Sequence, residues 1–376
     1  MFMETARQFD SAYRGEAMPS NSLQARLAAA RRAFTTRNVD FADVYALDRK
    51  AAPCAGDLVL AKVVAIGQHP RLEDPEGRRQ AMYPGDEIVV AYGNRYAPDQ
   101  FDAVVPDALE PCDLVAGGGI AATMRVKHDK MKNPTRIEPI GLLANARGNI
   151  VNVADYRTII AQPHDSNCQV IVIVGTSMNA GKTTTAATLI HGLNRAGLRV
   201  GAAKVTGTGS GGDIWAMVDA GARVALDFTD AGHATTAGVA IATLVDDSLA
   251  LIAAAGRDQD VVVVEIADGL FQSETAALLQ SPRMVARINK VILAAGDAMG
   301  AAFGHQWLER HGLPISLIAG CVSSSPLGLK EAQAATGLPV ATLAELADPE
   351  TAPRLCYAAG PLDADSLTLN LLASAA

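Results

Sequence analysis

The segment Gly175-Thr-Ser-Met-Asn-Ala-Gly181-Lys182-Thr183 constrains the fold of this chain more than any other. It follows five apolar residues, Val170 to Val174, and opens a stretch of helix formers that runs to about Arg195, with Gly197 as a stop signal. A strand, a glycine loop and a helix in that order turn backbone N–H groups inward. Together with the helix N-terminus they cradle phosphate oxygens. Five residues separate the two glycines, one more than the usual four. On this reading Gly175, Asn179, Ala180, Gly181, Lys182, Thr183 and Thr184 hold a nucleotide. Lys182 reaches its β- and γ-phosphates, and the Thr183 hydroxyl ligates Mg²⁺.

Around this loop, short apolar runs alternate with helical stretches: VIVIV at 170–174, VGAAKV at 200–205, VVVVEI at 261–266, VILAAG at 291–296 and ISLIAG at 315–320. Continuous apolar strands are buried on both faces, and the helices between them imply parallel crossovers. The expected class is α/β: a C-terminal P-loop domain over 168–376 with a mostly parallel sheet flanked by helices, plus a smaller β-rich N-terminal domain within 1–160. The polar stretch Gln162 to Asn167 is the natural boundary. In the N-terminal part, Gln24 to Arg37 reads as a helix with Ser20, Asn21 and Ser22 as capping candidates. Asp57 to Ile66 and Asp86 to Tyr92 read as strands, each after a glycine.

Composition narrows the setting. The chain has 376 residues, enough for two cores, and 49% of them are hydrophobic, which excludes wholesale disorder. A net charge of −8 argues against bulk binding of nucleic acid or anionic membrane. No apolar run reaches the ~18 residues of a membrane span, and Met1 to Arg14 is too polar for a secretory signal. The five cysteines are scattered and form no CxxC pair, which disfavours both a disulfide framework and a zinc site. The expectation is a cytoplasmic protein.

Ligands of open α/β sheets bind at the carboxyl ends of the strands, so the residues there are the candidates. Lys204 ends the second strand, followed by Thr206 and Thr208, and Asp213 follows in Gly211-Gly212-Asp213. Glu265 terminates four valines, where a buried carboxylate needs a cation or donors, with Asp268 as its competitor for metal binding. Asp213 could instead cap a helix beginning at Ile214. Asp297 is a substrate-contact candidate with a plain loop role as the alternative, and His233 and His305 read as ordinary surface or core residues. Arg125 to Lys132 concentrates positive charge, read as a solvated face or else as a docking surface for an anion.

Taken in order, GTSMNAGKTT, AAKVTGTGS, GGD, VVVEIADG, AAGDAMG and LIAGCV resemble the dethiobiotin synthetase-like group of P-loop proteins, over about Cys168 to Leu346. The longer glycine spacing is a feature of dethiobiotin synthetase itself. The resemblance implies that Lys182 and Thr183 hold triphosphate and Mg²⁺, and that Asp213 and Glu265 are metal-binding carboxylates. It also implies that Lys204 contacts both the γ-phosphate and the substrate acid, with Thr206 or Thr208 near the substrate. Ser323 and Ser324 fall where the family commonly reads the base with an Asn.

The expected function is therefore an ATP- and Mg²⁺-dependent enzyme of ligase type. It would activate a small carboxylate or carbamate by phosphoryl transfer, for amide or ring formation with an amine, with Lys182, Lys204 and Thr206 as catalytic residues. Alternatives are a small-molecule kinase, a protein resembling amino-acid N-acyltransferases, and a nucleotide switch acting on a protein partner. The expected partners are a small acid or amine substrate and a second copy in a homodimer.

Overall fold

The computed structural model describes residues 20–159 and 168–357. The expected boundary at Gln162 to Asn167 lies outside them, as does the polar start of the chain. Among the described residues, no helix is long and apolar enough to cross a membrane.

The C-terminal domain is built on a six-stranded, wholly parallel sheet. Across the sheet its strands run Val224–Asp227, Val200–Lys204, Val261–Glu265, Gln169–Gly175, Lys290–Ala294 and Ile315–Ala319. Five of the six are the apolar runs seen in the sequence. The sixth, the edge strand Val224–Asp227, carries mostly half-buried residues and so lacks that signature. Val170, Val172 and Val174 face one core, and Ile171 and Ile173 face the other, so helices cover both sides. Each fully buried Val or Ile of this kind contributes roughly 1.5–3 kcal/mol.

The helix Lys182–Arg195 places Ala186, Leu189, Ile190 and Leu193 against the sheet, the 3–4 spacing of one helical face. It ends on Gly197 at φ +86°, with Leu198 N–H donating to the Leu193 carbonyl and Gly197 N–H to that of Asn194. That is a Schellman stop, with the left-handed glycine just past the last turn.

The N-terminal region is a mainly antiparallel sheet. Strands Glu87–Tyr92, Leu58–Ala65, Thr135–Ala144, Cys112–Ala116 and Ile120–Lys127 pair in that order, and the last pairs back in parallel with the first, closing a five-membered ring. Val59, Ala61, Val63, Ile88, Val90, Leu114 and Ile137 form one core. The alternate residues Leu58, Leu60, Val89, Ala91 and Val115 pack with Leu23 and Leu27 of the first helix.

That helix is shorter than the sequence implied. It spans Ser20–Ala29, and Arg31–Arg32 then pair in parallel with Ile88 and Val89. The Arg32 guanidinium stacks 3.8 Å above the Phe41 ring, and the buried Thr35 donates its hydroxyl to the Gly119 carbonyl at 2.9 Å. Sheet pairing and these long-range contacts outweigh the helix propensity of the AARRAF stretch.

The two regions are packed together around the carboxyl edge of the parallel sheet. Arg37 reaches Asp227 at 3.1 Å and Asp230 at 2.8 Å, and Asn38 reaches Asp230 at 3.2 Å. The buried Glu73 accepts from Ser210 Oγ at 2.8 Å and Gly211 N–H at 2.9 Å, at the start of the helix Gly211–Asp219. Gly118 faces Gly209 so closely that a Cβ on it would fall 1.8 Å from the Gly209 carbonyl oxygen. Gly118 thus serves backbone approach between the two regions, while Gly119, at φ +101°, lies against Ala33 within the N-terminal region.

Candidate nucleotide site

The loop after Val174 turns on Gly181, whose φ of +99° belongs to the left-handed region. Gly175 has no room for a side chain, since a Cβ there would lie 2.8 Å from Lys182 Cγ and Cδ. Lys182 is buried and its ammonium donates to the loop carbonyls of Ser177 at 2.8 Å and Met178 at 3.3 Å. Burial lowers its pKa, opposed by Glu265 and Asp268.

Beside the loop, the Thr183 hydroxyl lies 3.2 Å from Glu265 Oε1 and 3.4 Å from Asp213 Oδ1. Lys204 is ion-paired to Asp213 and stands 3.6 Å from Glu265. Burial acts to lower the Lys204 pKa, but Glu265 and then Asp213 outweigh it and raise it. Glu265 is pushed up by its own burial, against the pull of Lys204, and its second oxygen, Oε2, is buried without a partner among the described residues.

These side chains line a cavity of about 280 Å³ together with Asn179, Thr208, Asp268 and, from the N-terminal region, Arg95 and Tyr96. Among the described residues no three His, Cys, Asp or Glu side chains gather into a metal-holding group. The donor set at Thr183 is one hydroxyl and two carboxylates. All are hard oxygens, which suits Mg²⁺ when phosphate and water complete the shell. The Oε2 of Glu265, without a partner among the described residues, fits a cation, and the Lys182 ammonium at the loop fits a phosphate.

Not every expected residue reaches the cavity. Thr206 is buried, and its hydroxyl accepts the Ala267 N–H at 2.8 Å, so it holds two adjacent strand ends together. Thr208 lines the cavity instead. Ala180 is fully buried, its carbonyl accepting from Cys321 N–H, and Thr184 is exposed on the first helical turn. Asp213 sits inside the first turn of a helix that begins at Gly211, not at a cap before Ile214.

Asp297 caps the helix Ala298–Arg310 by accepting from Gly300 N–H at 2.7 Å. His233 pairs with Asp247 at 2.7 Å and His305 with Glu309 at 3.2 Å, both structural contacts. In the basic run, Arg125, His128, Lys130 and Lys132 are exposed, and Lys127 donates to the Met131 carbonyl.

Asp268 lines the cavity in a left-handed conformation, φ +63°, which is uncommon for a residue with a side chain. Burial raises its pKa against the opposing charges of Lys182 and Lys204. Arg95 is the residue that sequence reasoning missed. It arrives from the other region, and nothing in its local sequence marks it. Within the loop itself, Asn179 donates to Asp99 of the N-terminal region at 2.9 Å.

With this geometry in view, comparison with known proteins decides the kind of domain. Residues 157–278 match the family described as "Domain of unknown function (DUF1611_C) P-loop domain". The loop, its helix, Lys204, Asp213, Glu265 and Asp268 all fall within the matched DUF1611_C span.

Several solved structures are similar at low identity. A DUF1611 family protein from Anabaena variabilis is 15% identical, with a TM-score of 0.37, over 52% of this chain and 60% of that one. The signal recognition particle 54 kDa protein from Aeropyrum pernix, solved in complex with GDP, is 18% identical, with a TM-score of 0.35, over 57% and 51%. Chloroplast FtsY from Physcomitrella patens is 18% identical, with a TM-score of 0.37, over 58% and 70%. The chain thus spans under two thirds of the length of the first two. No curated protein matches. The family match makes residues 157–278 similar to a P-loop domain, the kind of domain that binds nucleotide.

Proposed function

We propose that this protein binds ATP with Mg²⁺ at the loop 175–183 and uses it to activate a small carboxylate or carbamate by phosphoryl transfer. The acceptor oxygen attacks the γ-phosphorus, ADP leaves with the bridging oxygen, and an amine then displaces phosphate to give an amide or a ring. The observation that carries this reading is Lys204. It is a buried ammonium set beside Thr183, Asp213 and Glu265 on the wall of the phosphate-loop cavity. A lysine that served only the nucleotide would duplicate Lys182. One placed a strand away can neutralise charge on the acceptor as well as on the transferred group. Mg²⁺, when bound, neutralises phosphate charge, and Thr183 with Asp213 and Glu265 would hold it.

In the motif comparison, this chemistry follows the dethiobiotin synthetase-like resemblance. The test is ADP release measured against panels of small acids and amines. Release that needs both a carboxylic acid and an amine supports the ligase reading. Release with a lone acceptor that retains the phosphate replaces it with a kinase.

A second reading has one observation in its favour. The bond from Asn179 of the loop to Asp99 of the other region would couple nucleotide occupancy to the packing of the two regions, as a nucleotide switch requires. Slow basal turnover stimulated by a protein partner, with no response to acids and amines, would select it.

A further inference from the structure

Next to the nucleotide cavity lies a second one of about 410 Å³, between the N-terminal sheet and the loop Thr208–Ser210. The two share Arg95 and Thr208 as a common wall. Its ionisable lining is lopsided for a chain of net charge −8: Arg71, Arg79 and Arg95 against the single carboxylate of Glu73, with His69 beside them. That carboxylate is already committed. Its Oε1 accepts from Arg79 at 3.1 Å, and its Oε2 accepts from Ser210 and Gly211.

Arg95 is only 7% exposed, yet its donors go to neutral acceptors, the Val115 carbonyl and Gln100 Oε1 at 2.8 Å, while Nε has no partner among the described residues. Among the described residues no carboxylate comes within the 4.0 Å of an ion pair, and burial drives its pKa down to about 10, with Asp99 and Asp268 resisting from farther off. Arg71, exposed at the rim, has neither an ion pair nor a side-chain hydrogen bond among the described residues. A buried guanidinium without a counter-ion is costly, and that cost is relieved when a ligand supplies the charge. Its planar fork matches a carboxylate or phosphate face.

We infer that this second cavity is a binding site for an oxyanion, a carboxylate or phosphate group held by Arg95 from within and Arg71 from the rim. Its place against the nucleotide cavity makes this group part of the acceptor. That last clause rests on the proposed function, whereas the existence of the site does not.

The experiment is calorimetric titration of the full-length Lys182→Ala protein, which weakens the competing phosphate loop, with succinate and with glycerol phosphate as probes. Saturable binding of either probe, weakened about 10-fold or more by Arg71→Gln and by Arg95→Gln, is the expected result. The tighter probe names carboxylate or phosphate. No saturable binding of either probe, or binding that Arg71→Gln leaves unchanged, overturns the inference. Arg71 is exposed, so its variant decides the matter even if Arg95→Gln fails to fold. Because no turnover is read, a negative result here is separate from failure of the ADP-release test.

Discussion

Lys204 and Glu265 are register partners at the carboxyl ends of adjacent parallel strands, with Nζ and Oε1 3.6 Å apart. On its other side Lys204 is in register with Asp227. Three neighbouring strand ends therefore read acid, base, acid across the sheet. This explains how two valine- and alanine-rich strands can each finish on a charged, buried residue without an isolated charge in the core. The same row sets the ammonium beside the phosphate loop.

Replacing Lys182 with Ala should weaken nucleotide binding severely while leaving the fold intact. Its ammonium now rests on loop carbonyls, and loss of charge-assisted contacts to phosphates costs on the order of 10²-fold or more. Nucleotide titration with a fluorescent analogue, alongside circular dichroism, checks this. Unchanged affinity in the folded variant would remove the loop from the account.

Asp213→Asn should shift the Mg²⁺ requirement of turnover more than it shifts nucleotide affinity. The amide keeps the shape and removes the charge that a hard cation prefers. Glu265→Gln should behave likewise, and Asp268 is next in line if it does not. A parental Mg²⁺ titration in either variant makes that carboxylate structural.

Arg37 bridges the two regions through Asp227 and Asp230, both buried. Arg37→Met leaves two carboxylates without their cation, a loss of about 3–5 kcal/mol. Chemical denaturation followed by fluorescence measures it. A variant as stable as the parent would mean that the contact at Asp227 and Asp230 adds nothing to the packing of the regions.

His69 carries a pH signature. Burial, together with the charge of Arg95, depresses its pKa from 6.5 to about 4. The unfolded chain therefore takes up this proton at a pH where the folded chain does not. The contribution is fully present above about 6.5 and is lost as pH falls towards about 4, by roughly 3 kcal/mol at most. Denaturation midpoints of the parent and His69→Gln should converge as pH drops through that window. Parallel curves would show that His69 titrates normally.

The legible part of this molecule was the part written locally. Val170–Val174 and Val261–Val264 announce buried strands by composition, and the loop between Gly175 and Thr183 needs only its own neighbours to be read. Lys204 and Glu265 could be placed at strand ends because each closes an apolar run. What was illegible depends on partners far along the chain. Arg31 and Arg32 left the helical pattern to pair with Ile88 and Val89. Thr206 looked like a substrate contact until the Ala267 N–H claimed its hydroxyl. Arg95 reaches the cavity from another sheet, and Gly118 acquires its meaning only opposite Gly209. In each case a contact 50 residues or more away decided the outcome.

In the proposed reaction Lys204 acts on both the transferred group and its acceptor. A cation that bridges the two strengthens its contact as charge moves onto the bridging oxygen, so its removal should slow chemistry and spare binding. The most direct measurement pairs ATP affinity with the single-turnover rate of phosphoryl transfer in Lys204→Met. The account predicts near-parental affinity and a rate lower by at least about 10²-fold, not restored by Lys204→Arg. Full transfer by Lys204→Met would contradict it and place the acceptor elsewhere.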